Sequence, residues 1–293
     1  GRDTGGTVVA DGTYTATLTV NDAFGNTFGV PATSVVIDNT SPTATLGTPS
    51  NIAIDPTASS VLPSTTTFTG TVGDTNLTGW VLSIRNGASL LRSFSGTGTA
   101  VNVTWNGFYD PLDATDPVSP TTQAPDAAYT ITLTSTDAAG NNTTTATQTV
   151  VVLANGPIVT VTSDTPSIYG QSFTLTAAVT LPPGSPNSLI NLLNGDTVQF
   201  FRGATLIGTD TLEFNSGTGR YEATSVQPTL NAGTYTNFSA VYVASSDFPQ
   251  GTSAQATHVI NPASLTVTAQ NKTRTYGAAN PPLTYTISGL VNG

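Results

Sequence analysis

The chain has 293 residues, a length typical of two or three domains of about 100–150 residues each. Charged residues make up only 8% of it, Cys is absent, and 7 Lys and Arg against 17 Asp and Glu give a net charge of −10. These values exclude disulfides, zinc–thiolate centres and thiol nucleophiles, and so acidic a chain cannot offer the basic surface that nucleic acids require. No apolar run of about 18 residues is present, so the sequence predicts no transmembrane helix.

β-Strands are predicted along the whole chain. Thr is the commonest residue, while the helix formers Lys, Glu and Met are rare or absent. Apolar residues alternate with Thr at 14–20, 129–133 and 173–179, a pattern typical of antiparallel strands with one buried face. Turn residues such as Asn86-Gly87 and Gly140-Asn141 separate such runs, which favours β-sandwiches. Disorder is the alternative for a chain rich in Thr, Gly and Pro, and the regular alternation argues against it.

An internal repeat defines the organisation of the first half of the chain. Three segments recur 115 residues later: 11–19 at 126–134, 21–26 at 136–141, and 35–37 at 150–152. A constant offset over three elements indicates two copies of one domain. The second copy is complete, whereas the first contains only the later strands of the domain.

Several motifs resemble known bacterial modules. Thr104–Gly107, Asp126–Tyr129 and Asp137–Asn141 resemble the Ig-like domain of flagellar hook-capping proteins and of many bacterial surface proteins. Gly1–Asp3 with Asp11–Tyr14 is similar to the second half of another such domain. Both stretches are therefore expected to adopt an Ig-like β-sandwich fold.

The second half of the chain carries two further resemblances. Ser167–Gln171, Gly195–Phe200 and Ala204–Gly208 resemble the group 3 bacterial Ig-like repeat, and Ser264–Ala269 with Thr275–Pro281 resembles the opening of an MBG domain. MBG domains occur in giant bacterial surface proteins. Together the resemblances imply a modular, secreted bacterial stalk or adhesin, and they carry over no catalytic residues.

The sequence thus predicts an all-β chain of tandem Ig-like β-sandwiches, arranged as beads on a string in a rod. The expected units are the C-terminal half of an Ig-like domain at 1–41, an Ig-like domain at 42–156, a group 3 domain at 157–262 and the N-terminal part of an MBG-type domain at 263–293. The linkers Asp38–Pro42 and Asn155–Pro157 end in Pro, which restricts the backbone, so we expect them to be extended and stiff.

Aromatic residues at fixed positions are interpreted as structural. Tyr14, Tyr129 and Tyr235 each follow a turn, as in a tyrosine corner, where the phenol bonds back to the backbone of the turn. Stacking on a sugar is the alternative role for these rings, but they lie on the inward side of the alternation. Trp105 is predicted to belong to the core of the second copy.

Acidic residues suggest turns and one candidate metal site. Asp22 and Asp137 open Asp-x-x-Gly-Asn hairpins, where Asp bonds its own backbone, and a metal ligand is the less favoured alternative. Asp110, Asp113 and Asp116 crowd one Pro-rich loop and repel one another unless they are solvated or bridged by a hard cation. They are weak Ca²⁺ candidates without the spacing of an EF-hand, and no other cofactor is expected.

Catalytic alternatives are weak. His258 is the only His, lies in a predicted closing strand and has no Gly-x-Ser-x-Gly turn nearby, so a Ser/His/Asp mechanism is not expected. Glu213 and Glu222 have the residue types of a glycosidase pair, but they flank one hairpin. We expect them on its solvated face with Arg220, forming an exposed ion pair, and Phe214 on the inward face.

The sequence therefore favours a structural and adhesive stalk or filament segment on the bacterial cell surface, without catalysis. Its expected partners are neighbouring Ig-like domains of one long chain, other copies in a filament or surface layer, and cell-surface glycans. A polysaccharide-binding module is one rival function, and its aromatic platform would have to use Trp80, Trp105 and Tyr109. A non-catalytic appendage of a secreted hydrolase is the other.

Both outer units are expected to expose apolar strand faces. The residues concerned are Tyr14, Leu18 and Val20 at one end and Leu283, Tyr285 and Ile287 at the other. Such half-sandwiches are prone to association. We therefore expect one of two arrangements. Either this chain is a part of a much longer polypeptide, or neighbouring subunits supply the strands that the two outer units lack. The first is preferred because the two incomplete units resemble different families.

Overall fold

The computed structural model describes residues 1–58, 62–110 and 121–291, and it divides into two compact units. The first unit is Gly1–Thr57 with Pro63–Val152, and the second is Ala58–Leu62 with Leu153–Gly293. Strands dominate both units, so the predicted all-β fold is confirmed. Each unit is described separately below.

The first unit contains thirteen strands within the described residues. They are β1 (Gly12–Asn21), β2 (Thr27–Ile37), β3 (Thr43–Leu46), β4 (Ala53–Ile54), β5 (Thr66–Gly73), β6 (Leu77–Asn86), β7 (Ser89–Gly96), β8 (Ala100–Trp105), β9 (Phe108–Tyr109), β10 (Thr122–Gln123), β11 (Ala127–Asp137), β12 (Asn142–Thr144) and β13 (Gln148–Val152). β1 pairs with β2 in a separate hairpin, and β9 pairs with β10. The remaining strands form two sheets, β3-β5-β8 and β4-β13-β11-β6-β7, with β12 also paired to β11.

The core of the first unit lies between these two sheets. The sheet β3-β5-β8 contributes Phe68, Val72 and Val101, and the larger sheet contributes Leu82 and Ile131, all of them buried. Inward residues alternate with outward Thr along β5 and β11, as the sequence pattern predicts. Burial at about 25 cal/mol per Å² of apolar area is the main stabilising contribution in a chain without disulfides.

The second unit contains twelve strands and a short helical segment within the described residues. The strands are β14 (Ile158–Ser163), β15 (Ser167–Ile168), β16 (Phe173–Thr180), β17 (Thr197–Arg202), β18 (Thr205–Thr211), β19 (Glu213–Asn215), β20 (Arg220–Gln227), β21 (Gly233–Tyr242), β22 (Gly251–Thr252), β23 (Ala256–Asn261), β24 (Thr266–Ala269) and β25 (Tyr285–Ser288). They form the sheets β14-β16-β20-β19 and β15-β23-β21-β17-β18, with β22 beside β21, and the hairpin β24-β25.

One helical segment was not anticipated from the composition. Helix α1 (Asn187–Ile190) follows Pro186 and continues as a 3₁₀ turn over Asn191–Leu193. Leu189 and Leu193 are buried. Burial of these two side chains holds the segment, because a helix of four residues is not stable by propensity alone.

The MBG-like region contains two described strands. β24 and β25 pair in an antiparallel hairpin. Leu283, Tyr285 and Ile287 are exposed, as expected for a hairpin with an uncovered face.

Candidate functional site

Three tyrosines form the same local hydrogen bond. The phenol of Tyr14 donates to the carbonyl of Ala10 at 2.9 Å, that of Tyr129 to Pro125 at 2.7 Å, and that of Tyr235 to Asn231 at 3.0 Å. Each bond spans four residues, as in the tyrosine corner predicted from the sequence. Burial, with the nearby Tyr109 and Asp126, raises the pKa of Tyr129 to about 12, so this phenol stays protonated as a donor.

The two tryptophans are largely buried and do not form a sugar platform. Trp105 is 1% exposed, packs edge-on against Tyr129 with ring centroids 5.6 Å apart, and donates from Nε1 to Phe108 at 2.9 Å. Trp80 is 9% exposed and donates to the carbonyl of Gly98 at 3.0 Å. Both indoles therefore contribute to the core and have little surface on which a pyranose ring could stack.

The two Asp-x-x-Gly-Asn hairpins have matching geometry. Asp137 Oδ1 accepts from the backbone N–H groups of Ala139 at 2.8 Å and Asn141 at 2.9 Å, and its Oδ2 accepts from Asn141 Nδ2 at 2.8 Å. Asp22 makes the corresponding bonds with Phe24 and Asn26 at 2.8, 2.9 and 2.7 Å. Burial opposes ionisation of Asp137, but these hydrogen bonds outweigh it and leave its pKa below the usual value. Both aspartates therefore act as turn-stabilising acceptors.

Hydrogen bonds also hold the linker between the first hairpin and the sandwich. Asp11 accepts from the backbone and side-chain N–H groups of Asn39 at 2.7 and 2.9 Å and from the hydroxyl of Thr40. These bonds lower the pKa of Asp11. On the other side, Asn141 Nδ2 donates to the carbonyl of Asp38 at 3.2 Å. The predicted stiffness of this linker thus has side-chain support in addition to its Pro.

A cluster of three carboxylates lies at this junction. Asp38, Asp74 and Asp137 each offer an oxygen within 4.8 Å of the others, and carboxylate oxygen is the ligand type that Ca²⁺ prefers. Among the described residues, these three carboxylates are the group that could hold a metal ion. Of the three, only Asp137 is a metal-ligand alternative from the sequence, because tertiary structure alone brings it together with Asp38 and Asp74. Of the predicted Ca²⁺ loop, Asp110 is half-buried.

The other two residues of that predicted loop, Asp113 and Asp116, lie outside the described residues.

His258 is buried and bonded to two serines. Its Nε2 lies 2.8 Å from Ser167 Oγ and its Nδ1 lies 3.1 Å from Ser163 Oγ, while the imidazole stacks on Phe173 with centroids 3.9 Å apart. Burial lowers the pKa of His258, against a smaller opposing effect from Asp164, so the ring is neutral at pH 7. The imidazole is thus fully buried, with a serine hydroxyl at each nitrogen, and it contributes to the packing of the second unit.

The hairpin with Glu213 and Glu222 differs from the sequence prediction. The two glutamates face each other across β19 and β20, and Glu222 accepts from Asn215 at 2.7 Å and Thr218 at 2.8 Å. These two hydrogen bonds take the place of the expected ion pair with Arg220, which is not found among the described residues. Phe214 is 57% exposed, contrary to the inward position expected, and rests on Tyr221 with centroids 5.4 Å apart.

In the part of the chain that the structure describes, no helix is long and apolar enough to cross a bilayer.

Two stretches match known domain families. Residues 159–261 match the bacterial Ig-like domain (group 3), and residues 265–293 match the MBG domain (YGX type). Both resemblances drawn from the sequence are thereby confirmed for the second half of the chain. No match was found among curated proteins.

Three of the solved structures that the chain matches differ widely in origin. The fibronectin(III)-like modules of CbhA from Clostridium thermocellum are 14% identical over 75% of this chain and 95% of theirs, with a TM-score of 0.25. A 1.5-MDa bacterial ice-binding adhesin is 15% identical over 86% of this chain and 76% of its own, with a TM-score of 0.27. A marsupial T cell receptor is 9% identical over 83% of this chain and 87% of its own, with a TM-score of 0.26. With TM-scores this low, these likenesses say nothing about function.

Proposed function

We propose that this chain is a structural and adhesive segment of a large extracellular bacterial surface protein. The observation that carries the proposal is the succession of modules. One hairpin occurs twice, 115 residues apart, and the following residues match a bacterial Ig-like domain and an MBG domain. Successive sandwiches lengthen a chain and set the distance between its functional ends. The partners on this proposal are neighbouring modules, other copies in a filament or surface layer, and cell-surface glycans.

The absence of catalysis is part of the proposal. It is supported by the structural roles of the residues that a hydrolase would need. His258 is held inside the core between Ser163 and Ser167, and Glu213 and Glu222 share one exposed hairpin. Function depends on the chemistry of a site rather than on the fold. Glu213 and Glu222 line one polar surface groove, and the fully buried His258 is not among the residues that line it.

Surface location can be tested on the bacterium that makes the protein. Intact cells are treated with a protease and probed with an antibody raised against residues 1–293. The proposal predicts that the antibody signal disappears while a cytoplasmic marker stays intact. A signal that survives until the cells are lysed would contradict an extracellular role.

Adhesion can be tested separately by an in-frame deletion of residues 42–262. Attachment of the cells to surfaces or to one another is expected to fall, because the spacer that projects the protein is shortened. Protease shaving of the remaining protein is the control, since it reports whether the shortened protein still reaches the surface. Unchanged attachment with normal display would leave only a structural role.

A further inference from the structure

The β1–β2 hairpin and its counterpart in the sandwich share one register. Tyr14 lies opposite Val35, as Tyr129 lies opposite Val150, and Thr19 lies opposite Gly29, as Thr134 lies opposite Thr144. The tyrosine bonds and the Asp-x-x-Gly-Asn turns also coincide at an offset of 115 residues. The β1–β2 hairpin and the strands β11, β12 and β13 are therefore two copies of the same structural element.

The two copies differ in what covers them. Tyr129, Leu133 and Val150 are fully buried in the sandwich. Their counterparts Tyr14, Leu18 and Val35 are 39%, 59% and 45% exposed. Val20, on the same side of β1 as Tyr14, is 52% exposed. We call the side of the hairpin that carries Tyr14, Leu18, Val20 and Val35 the hairpin face.

The sandwich shows what such a face packs against. The edge of β11 away from β13 is paired with β6, and the inward side chains of β11 lie in one core with Phe68 and Val101 of the sheet β3-β5-β8. The ring of Tyr129 meets the edge of Trp105 at the end of β8. A partner of the hairpin face must therefore bring a strand for the free edge of β1 and an apolar sheet to lie over it.

We propose that the hairpin face is a docking surface for an Ig-type half-domain with the strand pattern of residues 43–105. Its counterpart of β6 pairs with β1, and its counterparts of Phe68 and Trp105 cover Leu18 and Tyr14. The repeat supplies the argument, because Tyr129, Leu133 and Val150 already pack in one core with such a half-domain. They are the counterparts of Tyr14, Leu18 and Val35 in the same register, whereas the counterpart of Val20 is Ser135. The face carries no charged side chain at these positions, so apolar burial drives the docking.

The test adds the half-domain to the complete chain. Residues 42–115 are fused in front of Gly1, which recreates the spacing found in the sandwich. Hydrogen exchange of the β1 and β2 amides is then compared with that of β11 and β13 in the same molecule, and sedimentation velocity reports the oligomeric state. We expect exchange in β1 and β2 to slow by at least ~10-fold on fusion and to approach that of β11. The strands β11 and β13 also report whether the sandwich of the first unit is folded.

A matched control carries the same fusion with two changes in the added copy only, at the positions equivalent to Phe68 and Leu82, each to Asp. This fusion is expected to leave β1 and β2 exchanging as fast as in the chain of residues 1–293. Equal protection in both fusions would overturn the proposal. So would β1 and β2 amides already as slow as β11 in a monomer without the fusion.

A second variant does not depend on the fusion being soluble. In the chain of residues 1–293, Leu18→Asp is expected to reduce binding of an apolar fluorescent dye and to leave exchange in β11 unchanged. Unchanged dye binding would overturn the proposal, because the face would then be covered in solution. Concentration-dependent protection of β1 that the fusion does not abolish would also overturn it, and would assign the face to a second copy of the chain.

Discussion

Tyr129 and Tyr14 make the same hydrogen bond in environments of different polarity, which allows a matched comparison of single residues. We expect Tyr129→Phe to lower the free energy of unfolding of the first unit by about 1 kcal/mol, because a part-buried hydrogen bond is lost while the ring stays in place. Tyr14→Phe should cost less than about 0.5 kcal/mol, since water competes for the same carbonyl. Urea denaturation measures both, and equal losses would contradict the role of burial.

His258 predicts a pH dependence of the second unit. Because burial lowers its pKa in the folded state below the unfolded value of about 6.5, the unfolded chain binds the proton first as the pH falls. The contribution of His258 is therefore complete above pH 6.5 and is lost between that value and the lower folded pKa. The slope is at most about 1.4 kcal/mol per pH unit.

Urea unfolding between pH 7.5 and 5.5 checks this prediction. The variant His258→Gln keeps a polar group near Ser163 and Ser167 but does not titrate, so its stability should vary less with pH than that of the parent chain. Asp164 is the charged group that opposes the shift, and Asp164→Asn should steepen the dependence. Parallel pH profiles for parent and His258→Gln would show that His258 is not responsible.

At the scale of the elements, close strand contacts decide which glycines can be replaced. A Cβ on Gly70 would lie 2.3 Å from the carbonyl oxygen of Thr45, so Gly70→Ala must push β3 away from β5. We expect a loss of about 1–3 kcal/mol. A Cβ on Gly29 would meet nothing within 4 Å, and Gly29→Ala should change stability by less than about 0.5 kcal/mol. Thermal unfolding distinguishes the two, and similar values would contradict the tight β3–β5 pairing.

The Asp-x-x-Gly-Asn hairpins predict a second difference between elements. Asp137→Ala removes three hydrogen bonds that order the turn between β11 and β12, and it should lower the melting temperature of the first unit. Asp22→Ala removes the matching bonds from the β1–β2 hairpin and should leave that melting temperature nearly unchanged, because the hairpin face is not part of the sandwich core. A larger effect of Asp22→Ala would contradict this account.

For the whole molecule, the covalent chemistry of the sequence predicts how the chain responds to force. It has no Cys, and its single Lys, Lys272, follows β24, so neither a disulfide nor a Lys–Asn isopeptide bond can lock the strands between residues 42 and 262. Pulled from its two ends, the chain should extend by about 3.5 Å for each residue that unfolds, without a locked segment. Single-molecule force spectroscopy measures this extension. A total length well short of the sequence would reveal a cross-link.

Much of the fold follows from the sequence because local patterns carry it. The alternation of apolar residues with Thr along 129–133 and 173–179 specified strands with one buried face, since side chains of a strand point alternately to opposite sides. Gly25 and Gly140 have positive φ in the two predicted turns. The offset of 115 residues also predicted that one hairpin would occur twice with one register.

Tertiary structure decided what depends on residues far apart in the chain. Asp38, Asp74 and Asp137 converge only because a linker, a turn and the end of a strand meet in space, and no spacing in the sequence reveals this. The helix at Asn187–Ile190 depends on burial of Leu189. This burial compensates for the low intrinsic stability of a helix of four residues. The sequence by itself thus determined strands, turns and the repeat, because these rest on neighbours within a few residues. Which faces are covered, and which acidic groups meet, was decided by packing, because burial depends on partners that the local pattern does not contain.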